Sequence, residues 1–201
     1  MNKKAERGRA TRDQLIEIAT ALFAEHGYED TSIEAVLQEA TVSRGALYHH
    51  FDGKESLFVA VLEAIETDIA ERLEVAVAGT TDPVEALRIG CRAWVELAGE
   101  PVVQRVLLID APAVLGWERW RAFDEKYGLG TTKALLRMAA ETGRLPVDLV
   151  DPFAHMLLAA LNEIALMIAR ADDVATATRG GERAVDELLN RLLGGAARTS
   201  R

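Results

Sequence analysis

Residues 42–51 read Val42-Ser43-Arg44-Gly45-Ala46-Leu47-Tyr48-His49-His50-Phe51, and this run decides the fold. Leu47 and Phe51 stand four apart, so they fall on one face of a short helix from Arg44 to His50, with Ser43 as its N-cap. Everything else on that helix is small or polar. Gly45 weakens a helix by ~1 kcal/mol relative to Ala, so a folding advantage does not explain it. Beside Ala46 it gives a backbone that can approach the base edges of a DNA groove, where longer side chains would hold the helix out.

Working outward, Thr31 and Ser32 precede Glu34 with capping-box spacing, and a second short helix follows through Val36, Leu37 and Ala40. Thr41–Val42 is then a tight turn. Upstream, Leu15, Ile18, Ala19, Leu22 and Phe23 line one face of a helix over Arg12–His26, which Gly27 ends. Downstream, Asp52–Gly53 turns the chain and Lys54 opens a long helix through Leu57, Val61, Ile65, Ile69 and Leu73 to Ala78. Two short helices joined by a few residues and backed by an amphipathic helix make a helix-turn-helix, whose second helix enters the major groove.

The remaining chain extends the helical reading. Of 201 residues, 49% are hydrophobic but only 5% aromatic, with five prolines, and no stretch alternates long enough for a half-buried strand. The fold class is therefore all-α. Lys plus Arg number 23 against 32 Asp plus Glu, a net charge of −9 that excludes a generally basic nucleic-acid binder, so DNA contact must come from a local patch. Lys3, Lys4, Arg7, Arg9 and Arg12, set against the single Glu6, supply one and read as a flexible basic arm. The lone Cys91 forms no internal disulfide and Met1–Gln14 lacks a signal core, which points to the cytoplasm. The apolar run Met156–Ala169, broken by Asn162 and Glu163, falls short of the ~20 residues of a membrane span.

Helices are expected from an Asp82 cap and first-turn Pro83 through Leu87, Cys91, Trp94 and Val95, and over Pro101–Ile109, Trp117–Tyr127, Thr132–Thr142, Asp151–Arg170 and Glu182–Leu193, followed by a frayed tail. Gly128 and Gly130 are expected to separate two of them. The helix Asp151–Arg170 is apolar nearly all round, which calls for a partner surface. Ala154, Leu158, Ala165 and Ala169 suit close packing, so with the last helix a four-helix interface of a homodimer is expected. His155, Asn162 and Glu163 share a sector of that helix, and Trp117, Trp120, Asp124 and Tyr127 share a face of theirs. With Trp94 and Met167 as neighbours, they outline a pocket for a small, largely apolar or aromatic effector.

The segment Arg12–Phe58, through "LFAEHGYEDTSI", "VSRGALYHHF" and "GKESLF", resembles the DNA-binding region of the TetR family of transcriptional regulators, and "DAPAVLGWERW" (110–120) resembles a run in many of its members. Leu37 and Thr41 depart from the Ala and Gly that the family often has there. The resemblance implies a DNA-binding domain over 1–55 and an effector-binding and dimerisation domain over 56–201. By position, Ser43, Arg44, Gly45 and Ala46 would lie nearest base edges, with Arg44 forking onto a guanine and Ala46 against a thymine methyl. Thr31, Ser32, Tyr48, His49, His50 and Lys54 would hold phosphates. The function expected is a repressor that binds a palindromic double-stranded operator as a homodimer and is released by its ligand. No cofactor is expected. The competing class is an all-α enzyme without DNA binding. The sequence has no phosphate loop, nucleophile elbow or His-Glu-x-x-His helix, and His155 with Glu163 would need metal ligands from other helices.

Overall fold

The computed structural model describes residues 3–193, with the side chains of Lys3, Lys4 and Asp124 outside that description, and the described chain is helical without a strand. Four helices form the amino-terminal part: α1 (Lys3–Asp30), α2 (Ile33–Ala40), α3 (Arg44–His50) and α4 (Lys54–Val77). The basic segment is not a flexible arm but the first turns of α1. Polarity hid this, because Lys3–Arg12 has no apolar stripe, while Thr11 Oγ1 donates to Arg7 O at 3.0 Å and Arg12 lies 5.5 Å over the Phe51 ring.

Gly27 breaks α1 one turn before its end, at φ 82°, a left-handed value that favours glycine. The chain beyond it folds back under Tyr28, whose ring meets Phe58 at 4.9 Å and Phe23 at 5.8 Å. Thr41 likewise takes the left-handed region (φ 54°), its N–H donating back to the end of α2. Leu15, Ala19, Phe23, Leu47, Leu57, Phe58 and Leu62 are fully buried between these helices. The expected anchor Phe51 is buried as well.

Beyond Gly79 the chain continues with α5 (Pro83–Leu97), capped by Asp82 with Pro83 in its first turn. A π-helical segment (Val103–Asp110) runs directly into α6 (Ala111–Leu115), and Ala111 N–H reaches back five residues to Val106 O. These wide turns carry Pro112 in the first turn of α6 without ending the helical run. After Gly116 come α7 (Trp117–Asp124), a second π-helical segment (Glu125–Leu129) and α8 (Gly130–Glu141). Gly128 and Gly130 do not separate helices here. A Cβ on Gly128 would stand 3.0 Å from Leu158 Cδ1, so close packing accounts for that glycine.

Last come α9 (Val150–Ala169) and α10 (Val174–Leu193), the latter starting a full two turns before the expected Glu182. Asp173 caps it through Thr176 N–H at 3.0 Å. Gly180 and Gly181 lie inside α10. A Cβ on Gly181 would meet Ile164 at 2.7 Å and Val95 at 3.2 Å, so the glycine admits α9 and α5 instead of ending the helix. The tail at 194–201 lies outside the described residues.

Two apolar cores result. One joins α1–α4 to the first π-helical segment, α6 and Trp120; the other joins α5, α8, α9 and α10. Trp94 packs against both. The stretch Val147–Ala169 is longer than the apolar run picked out in the sequence, and by length and composition it could cross a membrane. Val150, Ala154, Leu157, Leu158, Leu161, Ala165 and Ile168 on it are buried in the protein, which makes it a core helix. This also corrects the expected partner surface, because Ala154, Leu158 and Ala165 are used within the subunit. What α9 leaves exposed is a stripe of Met156, Ala159, Glu163 and Met167.

Candidate nucleic-acid interface and effector cavity

The face of α3 turned away from the core carries Ser43, Arg44, Gly45, Tyr48 and His49, all exposed, with Ala46 and His50 half-buried beside them. Ser43 Oγ accepts from Ala46 N–H at 3.2 Å and Ser32 Oγ from Ala35 N–H at 3.1 Å, so both serines cap helices whose amino termini open to solvent. A Cβ at Gly45 would meet nothing within 4 Å. Packing therefore gives no reason for a glycine there.

Arg44 is held by Glu34, Nη2 to Oε1, across the turn between α2 and α3. The Glu34 carboxyl is held below its usual range, first by its own backbone N–H at the start of α2 and then by the Arg44 hydrogen bond. Lys54 is tethered too, with Nζ donating to Glu29 O at 3.1 Å and lying 4.3 Å over the Tyr28 ring. Thr31 does not belong to this surface. It is buried, and its hydroxyl donates to Gly27 O at 2.8 Å and Leu22 O at 3.2 Å, closing the backbone around the glycine break.

That break is also where the amino-terminal part is fastened to the rest. Tyr28 N–H donates to Asp110 Oδ2 at 2.7 Å, and Arg105 bridges Asp110 to His26 O at 3.4 and 3.5 Å. A side chain at position 27 would occupy the space of the Arg105 guanidinium.

A cavity of about 430 Å³ lies between the two cores. Its α4 wall is Glu66, Ile69, Ala70, Leu73, Glu74 and Val77; α5 contributes Leu87, Gly90, Cys91 and Trp94. Tyr127, Gly128, Thr131, Thr132 and Leu135 close one side, and Leu158, Leu161 and Asn162 on α9 form the floor. Of the pocket residues expected from the sequence, Trp94, Tyr127 and Asn162 do line it. Trp120 is instead a core residue, its Nε1 donating to Leu107 O at 3.3 Å, and Trp117 lies exposed beside it with ring centroids 4.9 Å apart. His155 faces Glu125 at 3.9 Å, while Glu163 and Met167 project to solvent. These five do not line the cavity. Asp124 ends α7, and its side chain is outside the described residues.

The model described as "Bacterial regulatory proteins, tetR family" matches residues 15–61, and that described as "Tetracyclin repressor-like, C-terminal domain" matches 84–192, more than half of the chain. The chain belongs to the TetR family of transcriptional regulators. A solved TetR-family transcriptional regulator from Pectobacterium atrosepticum is 32% identical with a TM-score of 0.81, over 96% of this chain and 98% of that one. The transcriptional regulator AcrR of Shigella flexneri is 34% identical over 43% of this chain and 40% of its own length. The transcriptional repressor AcnR of Corynebacterium glutamicum is 39% identical over 30% of this chain and 32% of its own. The chain thus matches less than half the length of these two curated relatives.

As a TetR-family member the chain is a regulator and not an enzyme, and the cavity chemistry accords with binding. Burial pushes the Cys91 thiol up to about 12, so it is protonated and inert at neutral pH. Among the described residues no group of three or more His, Cys, Asp or Glu is placed to hold a metal. The sequence reading missed Glu66, one of the few polar residues buried here, because it follows Ile65 on a helix whose opposite faces both looked like ordinary core and solvent. A signal was present: Glu66, Ile69 and Leu73 recur at helical spacing, so a carboxylate sits in line with apolar residues.

Proposed function

We propose that this TetR-family chain is a cytoplasmic repressor that binds a palindromic operator as a homodimer and releases it when a small ligand enters the cavity between the cores. The division of labour is a DNA-binding part over 1–55 and an effector-binding and dimerisation part over 56–201. The observation that carries this reading is the exposed face of α3, with Leu47 and Phe51 buried behind it and open space over Gly45. Arg44 reads a base, with Ser43, Gly45 and Ala46 beside it nearest the base edges, and Ser32, Tyr48, His49, His50 and Lys54 hold phosphates. The exposed methionine stripe of α9 is the face on which two subunits would meet. Ligand action follows from the walls: α4 starts at Lys54 beneath the DNA-facing helices and its far half, from Glu66 to Val77, lines the cavity. A ligand that wedges against this half favours one tilt of α4, and operator affinity changes by the ligand's differential affinity for the two tilts.

Selection from random-sequence duplexes followed by a salt series tests the reading. A palindrome should emerge, occupied by one dimer, with log K falling against log salt by about 0.9 per phosphate neutralised. Binding that ignores salt, or tight occupancy of a single half-site by a monomer, would overturn it.

A further inference from the structure

Two cations of the DNA-facing surface are held in opposite ways. Arg44 is paired with the Glu34 carboxylate, which offsets its charge until the pair opens. Lys54 rests on neutral groups: Nζ donates to Glu29 O at 3.1 Å and lies 4.3 Å over the Tyr28 ring. Among the described residues no carboxylate pairs with it, and its neighbour Glu55 is taken by Arg119 at 2.8 Å. The ammonium is therefore kept in place with its charge intact.

The ring beneath it is fixed from behind. It meets Phe58 at 4.9 Å and Phe23 at 5.8 Å, and the N–H of the same residue is fastened to Asp110 Oδ2 at 2.7 Å. Packing alone asks only for an apolar side chain at this position, whereas an aromatic ring adds a negative face that attracts an ammonium. Glu29 O takes one of the three ammonium donors, so others remain for an incoming acceptor. Glu29 also stands three residues before Ser32, the cap of the solvent-open amino terminus of α2, so this contact ties the start of α4 to the approach to α2. A lysine free in solvent loses rotamer freedom when it docks on a phosphate. One already held does not lose it again.

Resting on the reading of Lys54 as a phosphate anchor, we propose that Tyr28 is the positioning residue for that contact. Its ring holds the ammonium where a phosphate of the duplex arrives, and phosphate, carbonyl and ring then share one cation. Because a phosphate carries no sequence, Tyr28 contributes equally to operator and random DNA.

Fluorescence anisotropy of the full-length protein with labelled operator and labelled random duplex, over a salt series, tests this. Lys54→Ala should weaken both duplexes and reduce the salt slope by about 0.9 per subunit. Tyr28→Leu should weaken both by about threefold to tenfold, and Tyr28→Phe, which keeps the ring face, should stay within about twofold of the unsubstituted protein. Added to Lys54→Ala, Tyr28→Leu should cost less than about twofold more. If Tyr28→Leu fails to fold, Tyr28→pentafluorophenylalanine serves, because it keeps the ring's shape, reverses the charge of its face and should weaken both duplexes as Leu does. A Tyr28→Leu variant that binds more tightly or loses only its operator preference, a cost that persists in full without Lys54, or a fluorinated ring that keeps full affinity overturns the assignment and leaves Lys54 as an anchor. A Lys54→Ala variant with unchanged affinity and slope overturns the anchor reading with it.

Discussion

Tyr28 N–H donates to the Asp110 carboxylate at 2.7 Å, so one hydrogen bond ties the backbone just past the α1 break to the end of the first π-helical segment. Asp110 is 12% exposed in its side chain and is also approached by Arg105, which makes this a charge-assisted contact in a partly dry setting. Asp110→Ala is expected to remove about 1–2 kcal/mol and lower the melting temperature by about 2–6 °C. Operator binding should also respond less to ligand, because α1 is no longer fastened to the first π-helical segment, which packs on both α4 and α9. A melting curve and a gel shift with and without ligand check both effects.

The Arg44–Glu34 pair sets up a competition on the DNA-facing surface. Glu34→Gln should raise affinity for operator and random duplex alike, by roughly threefold to tenfold, since a negative charge is removed and Arg44 is set free. Arg44→Ala should act differently, erasing preference at one symmetric pair of positions in the selected site. An unchanged selected sequence for Arg44→Ala would show that the guanidinium reads no base.

Thr41 holds a left-handed conformation that costs a β-branched residue ~1–2 kcal/mol. Thr41→Gly relieves that strain and gives back part of it as extra freedom in the unfolded chain. The net expectation is a gain of up to about 1 kcal/mol, or about 2–4 °C in melting temperature, with operator sequence preference unchanged.

Asp186 on α10 accepts from Arg92 and from Arg88 on α5, and the Arg92 hydrogen bond foremost holds its carboxyl below the usual range. A carboxyl whose folded value is depressed stabilises the protein fully above its unfolded value, ~3.9, and loses that contribution as pH falls through the folded value. Acid should therefore loosen the α5–α10 contact below about pH 4. Asp186→Asn should cost about 1 kcal/mol at pH 7 and flatten the acid limb of a stability–pH curve.

How far the sequence could be read follows from what periodicity encodes. The helix-turn-helix was legible because Leu47 and Phe51 are anchors and the outer residues are small or polar, a contrast that survives without coordinates. The helical lead of α1 was not, since Lys3–Arg12 has no apolar stripe and its support, Arg12 over Phe51, comes from a residue far along the chain. Gly128 misled for a related reason: its value lies in the space it leaves for Leu158, and the space that Gly181 leaves for Ile164 and Val95 was hidden in the same way, because only the folded chain reveals either. The cavity was half legible. Trp94, Tyr127 and Asn162 reach it, but the sector drawn on α9 from His155 to Glu163 pointed partly outwards, because its helical wheel gives which residues cluster and not which way the cluster faces.

The core that joins α1–α4 to the first π-helical segment has a consequence for how the molecule comes apart. Phe58, Val61 and Leu62 on α4 lie in the same cluster as Leu107 and Trp120, far along the chain, so the helix-turn-helix shares its interior with residues some fifty positions downstream. It should not melt as an independent module. Amide exchange under native conditions would then show α1 and the 103–120 region opening together as one unit, while α8 and α10 open as another. The seam between those two units is the cavity, and a molecule bound there would act as a rivet between them.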